Sequence, residues 1–292
     1  MSSLKHLHEL IRTVAEGSDE ERLAHLEHDR WIDYPRALAG LARLEGLVRT
    51  PLRTRMPWLL IHGDSDMGKT MMVRKFYRVH KPTFERNKTV AHAAIILTEM
   101  PPSPQNRRLY AQLLRSMNAP FNDNDNVGAL ESNVLKTLMQ IRPKMIVIDE
   151  VHNLLAGSRL EQRSALNTIK FLSNQIGCVI VALGTNDALT AFHADAQIAS
   201  RFRSFELPHW QESDEFRRLM AAFERLLPLR QPSNLDDREI VRFIIATSNG
   251  LTGEIVRLLT EATRLAIRQT SEKITLEILQ AASVTSAPLA AA

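Results

Sequence analysis

The spacing of apolar positions changes character twice along the chain. Leu4, Leu7, Leu10, Ile11 and Val14 recur at the three-to-four interval of one helix face. Ser18-Asp19-Glu20-Glu21 carries the hydroxyl and carboxylate of a capping box that opens a second helix. Trp31-Ile32-Asp33-Tyr34-Pro35 breaks that helix, Ala37 to Val48 forms a third, and Arg49-Thr50-Pro51 is a linker. From 57 to about 210 short continuous apolar runs alternate with helical ones. Strands are expected over 58–62, 92–98, 145–148, 178–184 and 204–207, and helices over about 68–79, 104–117, 128–142, 159–176 and 196–202. Asn118 to Gly128 is polar and reads as a loop. Beyond 212 the strand pattern stops, and helices are expected over about 212–226, 236–248, 252–269 and 275–283. The expected class is α/β, a parallel sheet with helices on both faces. The expected layout is an N-terminal helical extension (1–50), an α/β core (51–210), an all-helical lid (211–285) and a disordered tail (286–292).

Composition narrows the setting. The chain has 292 residues, enough for one large or two small domains. No apolar run approaches the ~18 residues of a membrane-spanning helix, and the N-terminus lacks the apolar stretch of a signal peptide. The one cysteine, Cys178, excludes an internal disulfide and opens an apolar strand, where a buried thiol is expected rather than a nucleophile. A cytoplasmic location follows as the expectation. Net charge is +4, and 28 of the 37 basic residues are Arg. Arg suits bidentate phosphate contacts, so the excess permits nucleic acid as a partner without demonstrating it.

Two motifs carry chemistry. Gly63-Asp64-Ser65-Asp66-Met67-Gly68-Lys69-Thr70 fits G-x-x-x-x-G-K-[ST], the phosphate-binding P-loop or Walker A pattern. It lies between the apolar run Trp58-Leu59-Leu60-Ile61 and the helix-prone Met71-Met72-Val73, the strand–loop–helix setting the motif requires. Glycines let backbone N–H groups turn toward phosphate oxygens, and a helix N-terminus adds a positive dipole end. Lys69 would reach the β and γ phosphates of ATP, and Thr70 would hold Mg²⁺ through its hydroxyl. Downstream, Met145-Ile146-Val147-Ile148 ends in Asp149-Glu150. An acidic pair there is the Walker B element of P-loop ATPases: Asp149 orients Mg²⁺ and Glu150 polarises the attacking water. Alone, the pair reads equally well as a solvated acidic turn; the upstream loop favours the chemistry. Two acids, Asp64 and Asp66, are unusual in a phosphate loop, with Asp66 where a third glycine is common. Their carboxylates must point outward. Asp149-Glu150-Val151-His152 also mimics a helicase box, but the helical stretch after 212 cannot supply the second RecA-like domain a helicase needs.

A P-loop α/β core followed by a helical lid resembles the AAA+ P-loop NTPases. That resemblance implies further site positions. Asn186 or Thr185, after strand 178–184, stands where a polar sensor faces the γ-phosphate; a helix N-cap is the open alternative. Arg201, favoured over Arg203, stands where an arginine finger reaches a neighbouring subunit, with a surface salt bridge as the alternative. Arg257 opens a lid helix where a second sensor arginine is found. More closely, Met56 to Ser65 with Gly68-Lys69-Thr70, the run Ile148 to Gly157, and Tyr34-Pro35 resemble the TniB family. These are AAA+ regulators of DDE transposition related to TnsC and, more distantly, MuB and IstB.

The resemblance covers roughly 25–270. It implies that Tyr34 and Pro35 belong to the nucleotide site, and that an ATP-loaded homo-oligomer, ring or helical filament, assembles on duplex DNA. It further implies recruitment of a TniA-like DDE transposase to target DNA, a TniQ-like targeting protein as a further partner, and release on hydrolysis. Duplex DNA in such assemblies meets loops after the second core strand, here Pro101 to Asn126, where Arg107 and Arg108 open a helix. Aromatic residues are 5% of the chain, so base stacking is not expected and DNA contact should be largely sequence-independent. The other reading that shares this core is a helicase-loader-like or protein-remodelling ATPase acting on a protein partner.

Overall fold

The computed structural model describes residues 4–82, 93–193 and 196–285. In chain order the elements are α1 (Glu9–Glu16), α2 (Asp19–His25), α3 (Pro35–Val48), β1 (Trp58–His62), α4 (Lys69–Val79), β2 (Ile95–Glu99), α5 (Asn106–Ser116), α6 (Val127–Ile141), β3 (Met145–Asp149) and a 3-10 turn (Val151–Ala156). Then come α7 (Arg159–Ile176), β4 (Val179–Gly184), α8 (Ala188–His193), α9 (Ala196–Ala199), β5 (Phe202–Glu206), α10 (Asp214–Glu224), α11 (Arg238–Ser248), α12 (Thr252–Arg268) and α13 (Leu276–Thr285). They form two compact units, one of residues 36–65 and 69–208, the other of 1–35, 66–68 and 209–292.

The first unit is an α/β layer structure. Its sheet is wholly parallel, in the order β2-β3-β4-β1-β5. Parallel strands need crossover helices on the sheet faces, so the inner strands lose contact with water on both sides and read as continuous apolar runs. Every residue of β1, β3 and β4 is buried. The edge strand β5 is mostly exposed, and its Phe205 ring is covered by the guanidinium of Arg36 from α3, 4.4 Å from the ring centre.

The helical unit centres on Phe216, Met220, Val241, Ile244, Ile255, Leu259 and Leu279, all buried. α1 and α2 belong to it. Arg22 of α2 is fully buried, donating from Nε to the Pro228 carbonyl at 2.9 Å and from Nη2 to Glu272 at 2.5 Å. A buried guanidinium persists only when its donors are matched in this way. The Ser18–Glu21 capping box at the start of α2 has both of its reciprocal hydrogen bonds.

Several elements differ from the sequence expectation. The helix over 196–202 is the single turn α9, because β5 starts at Phe202 rather than 204. There Phe202 pairs with Trp58, and the Arg201 carbonyl accepts from Trp58 N–H at 3.2 Å. Extending β1's ladder by two residues outweighs local helix preference. The short helix α8 precedes it. β2 runs over Ile95–Glu99, its last two residues continuing the ladder to Ile148 and Asp149; residue 92 of the expected strand lies outside the described residues. The 3-10 turn after β3 has no periodic signature. The expected tail over 286–292 also lies outside the described residues.

Candidate functional site

The end of β1 feeds the Gly63–Thr70 loop, and the end of β3 delivers Asp149-Glu150. Gly63 has φ +154, and a Cβ there would lie 2.5 Å from the Leu207 carbonyl oxygen, so only glycine fits. Asp66 has φ +64 and Gly68 φ +84. Asp66 therefore takes the left-handed conformation that the usual glycine would supply; Asp is among the residues that tolerate it. A Cβ on Gly68 would meet nothing within 4 Å, which leaves open space against the loop backbone. α4 starts at Lys69, so its first N–H groups and its dipole end complete the loop. Lys69 Nζ donates to the carbonyls of Gly63 at 2.8 Å and Asp64 at 2.7 Å, which places the ammonium inside the loop.

Thr70 and Asp149 come together although 79 residues apart: Thr70 Oγ1 donates to Asp149 Oδ2 at 2.7 Å. Asp149 is buried, 5% exposed, and its Oδ1 accepts from the Glu150 N–H at 2.8 Å. One hydroxyl and one carboxylate form a hard-oxygen donor set suited to Mg²⁺, which characteristically takes one or two protein oxygens plus phosphate and water. Among the described residues no group of three His, Cys, Asp or Glu could hold a metal ion. Glu150 has φ +54 and ψ +34, a strained region for a non-glycine residue that often marks a functional position. Its half-exposed carboxylate lies 3.2 Å from His152 Nε2.

The two loop acids each face a donor. Asp64 Oδ1 accepts from Asn186 Nδ2 at 2.9 Å, and Asn186 Oδ1 lies 2.8 Å from His62 Nδ1. Asn186 is thus engaged by its side chain, while the first turn of α8 is closed by Ala188 and Leu189 N–H groups donating to the Thr185 and Asn186 carbonyls. Asp66 Oδ2 accepts from Arg257 Nη2 at 2.8 Å, and the Asp66 carbonyl accepts from Gly253 N–H at 2.8 Å. Hydrogen bonds that Arg257 donates to the carboxylates of Glu254, then Asp66, raise its pKa. Ser65 is exposed and Met67 is buried.

The remaining expected positions have the following surroundings. Tyr34 packs edge-on against Trp210 in the helical unit, ring centres 4.9 Å apart. Pro35 starts α3, where its missing N–H costs nothing. Arg201 stands beside Trp58 at the start of β1, at the end of the sheet away from the loop, and donates from Nη1 to Asn174 Oδ1 at 2.8 Å. Burial and then the charge of Arg55 lower its pKa. Arg203 is exposed on β5 opposite Leu59. Arg107 and Arg108 line a cleft of about 400 Å³ with Glu99, Arg115, Phe121 and Asp123. Arg107 donates to the Asp123 carbonyl, and Arg115 pairs with the Asp123 carboxylate at 3.3 Å over the Phe121 ring. Arg108 is exposed and has no hydrogen-bond or ion-pair partner among the described residues. Burial pushes the Cys178 thiol up to about 12, which keeps it protonated and inert.

Sequence reasoning passed over His62, His152 and Arg115. His62 had one signal, a polar side chain closing an otherwise apolar strand directly before the loop. His152 had only its place in the Asp149–His152 run, and Arg115 had none, since it meets Asp123 across a loop.

A model of the family described as bacterial TniB protein matches residues 22–212. No curated protein matches the chain. Among solved structures, Cdc6p from Pyrobaculum aerophilum is similar at 14% identity over 90% of this chain and 70% of that one, with a TM-score of 0.63. The ORC1 protein of Aeropyrum pernix, solved in complex with DNA, is 17% identical over 90% and 69%, TM-score 0.63. The Thermotoga maritima RuvB Holliday junction branch migration motor is 14% identical over 89% and 73%, TM-score 0.54. At these identities the likeness concerns fold: the chain has the architecture of AAA+ P-loop NTPases.

Proposed function

The chain belongs to the bacterial TniB protein family, and from that premise we propose that it is an ATP-hydrolysing switch which assembles on duplex DNA and delivers that DNA to a separate DDE transposase. The observation that carries the ATPase half is the meeting of Thr70, Asp149 and Glu150 beside a loop whose Lys69 ammonium points inward. Lys69 exchanges the carbonyls of Gly63 and Asp64 for phosphate oxygens. Thr70 Oγ1 and Asp149 Oδ2 would hold Mg²⁺, which would supply positive charge against the phosphate oxygens. Glu150 accepts the proton of the attacking water, a role that its left-handed backbone, a conformation often found at functional positions, supports. Asn186 offers an amide N–H to the γ-phosphate, and Arg257 a guanidinium once it leaves Asp66.

The assembly half rests on family membership and on arginine placement. Arg201 stands at the end of the sheet away from its own Gly63–Thr70 loop, which supports a role toward a neighbour's phosphates rather than its own. Arginine fingers contribute about 10³–10⁵ in rate in other NTPases. Arg201→Ala is therefore expected to bind ATP normally and hydrolyse it slowly, and wild-type turnover per subunit should rise with protein concentration. Turnover per subunit that is flat from monomer to oligomer removes the shared site. The cationic cleft bearing Arg108 supports duplex contact, and the ORC1 relative solved in complex with DNA is consistent with it. Electron microscopy with duplex DNA and a non-hydrolysable ATP analogue tests the whole: assemblies seen only when both are present support it. If no nucleotide state yields duplex binding, the protein-remodelling reading replaces it.

A further inference from the structure

We infer that His62 is a positioning residue that fixes which end of the Asn186 side chain faces the phosphates; the inference rests on the ATPase reading above. Asn186 stands between two groups. Asp64 Oδ1 is 2.9 Å from Asn186 Nδ2, and His62 Nδ1 is 2.8 Å from Asn186 Oδ1. A carboxylate at neutral pH only accepts hydrogen bonds, so the amide nitrogen must be the atom facing Asp64. The amide oxygen then faces His62, and because that oxygen only accepts, His62 Nδ1 must carry a proton. One assignment satisfies both contacts. His62 is 7% exposed and held by the sheet: it ends β1, lies between Gly184 of β4 and Glu206 of β5, and its carbonyl accepts from Leu207 N–H at 2.7 Å. Asn186 and Asp64 are more open to solvent. The rigid member of the chain is therefore the histidine.

The consequence is chemical. An asparagine amide presents a donor at one end and an acceptor at the other, and the two are close in shape. Turned one way, Asn186 donates to a phosphate oxygen; turned the other, its oxygen faces that anion and repels it. His62 Nδ1–H binds the oxygen and so selects the donor orientation. Asp64 is an anion on the same N–H that the ATPase reading gives to a phosphate oxygen. Nucleotide entry then requires Asn186 Nδ2 to exchange one anion for another without rotating its amide, which lowers the reorganisation needed at the moment of reaction.

Two experiments test this. The first uses the unmodified protein: ¹⁵N spectra of the histidine rings should show His62 in the Nδ1–H form. A neutral His62 protonated at Nε2 instead overturns the inference, because a bare Nδ1 cannot donate. The second is kinetic. His62→Leu should lower kcat roughly 10–100-fold, the loss typical when a supporting hydrogen bond behind a working group is removed, with KM for ATP near wild type. His62→Asn places an amide N–H close to where Nδ1 was and should recover most of that kcat. Combined with Asn186→Ala, His62→Leu should add no further loss, because both changes remove one function. Equal losses in His62→Leu and His62→Asn, or a double variant whose losses multiply, reduce His62 to a packing residue. If Asn186→Ala alone turns over at the wild-type rate, the role given to Asn186 under the ATPase reading fails, and that outcome is distinct from either of the others.

Discussion

The carboxyl end of the sheet, with Thr70, Asp149 and Glu150, and the cleft that carries Arg107, Arg108 and Arg115 lie in the same α/β unit and are built by opposite means. At the carboxyl end of the sheet, backbone decides where each side chain goes. Asp149 is the last residue of a buried strand, Thr70 lies in the first turn of α4, and the loop between β1 and α4 is held by φ values that glycine and aspartate can adopt. The 2.7 Å Thr70–Asp149 contact links two buried or half-buried groups whose isolation would cost about 1–3 kcal/mol. In the cleft, long side chains on an exposed helix reach a polar loop, and the Arg115–Asp123 pair is mostly exposed. Such a pair contributes about 0–1 kcal/mol and weakens in salt. Substitutions at the first place should therefore act as near switches, and at the second as small graded changes.

Lys69→Ala is the severest test of the first half of that contrast. Hydrogen bonds to charged groups contribute roughly 1.5–3 kcal/mol each, and the ammonium has two acceptors to exchange for phosphate oxygens. Nucleotide affinity should fall at least about a hundredfold, measured by calorimetry or by displacement of a fluorescent analogue. Equal ATP affinity in variant and wild type would end the reading of this loop as a phosphate site.

Glu150→Gln comes next and separates binding from chemistry. Gln keeps the size of Glu and loses the proton acceptor, so ATP affinity should hold while turnover falls about 10²–10⁴-fold, the usual worth of a general base. A single-turnover assay with radiolabelled ATP reads both. Unchanged turnover would assign the left-handed φ of Glu150 to local packing and leave the base unidentified.

What could be read in the chain divides along the same line. β1, β3 and β4 were legible because strands buried on both faces must be apolar throughout, and the loop glycines because a spacing rule stands behind them. The bounds of β5 were less so: Phe202 and Phe205 flank Arg203 and Ser204, a pattern one residue short of a clear period, and the ladder with Trp58 decided where the strand starts. The His62–Asn186–Asp64 chain left little trace, since hydrogen bonds between residues 122 and 124 positions apart obey no spacing. Nor does composition reveal that Arg22 is fully buried, because its partners Pro228 and Glu272 lie more than 200 residues away. Legibility here tracks whether backbone geometry or side-chain reach sets a contact.

Asp66→Gly sharpens the comparison at an intermediate scale. Glycine adopts φ +64 readily, so the loop should keep its form while the carboxylate beside Arg257 disappears. Both partners are about half exposed, at 49% and 50%. Stability should change by less than about 1 kcal/mol on that account. Removing one negative charge from a phosphate loop should tighten ATP by about 1 kcal/mol, roughly fivefold, at a few ångströms' distance in a high-dielectric setting. Calorimetric titration at two salt concentrations checks it, with the gain shrinking at the higher salt. An unchanged affinity would mean that Arg257 already neutralises the aspartate.

The cleft should give the smallest effects, and they should differ between its arginines. Arg107 already donates to the Asp123 carbonyl and Arg115 to the Asp123 carboxylate, so each must release a partner before it serves a phosphate. Arg108, exposed and without a partner among the described residues, gives up only its hydration. Each phosphate neutralised adds about 0.9 to the slope of log affinity against log salt on duplex DNA. Arg108→Ala should therefore flatten that slope by about one unit and weaken binding alike on unrelated sequences, whereas Arg107→Ala should flatten it by less. Fluorescence anisotropy on two unrelated duplexes across a salt series, with a non-hydrolysable ATP analogue present, measures both. ATP hydrolysis without DNA should be unaffected in either variant, since neither side chain contacts Thr70, Asp149 or Glu150. Should Arg108→Ala match wild type in affinity and slope, the cleft is a solvated face, and duplex contact must be sought elsewhere among the exposed arginines.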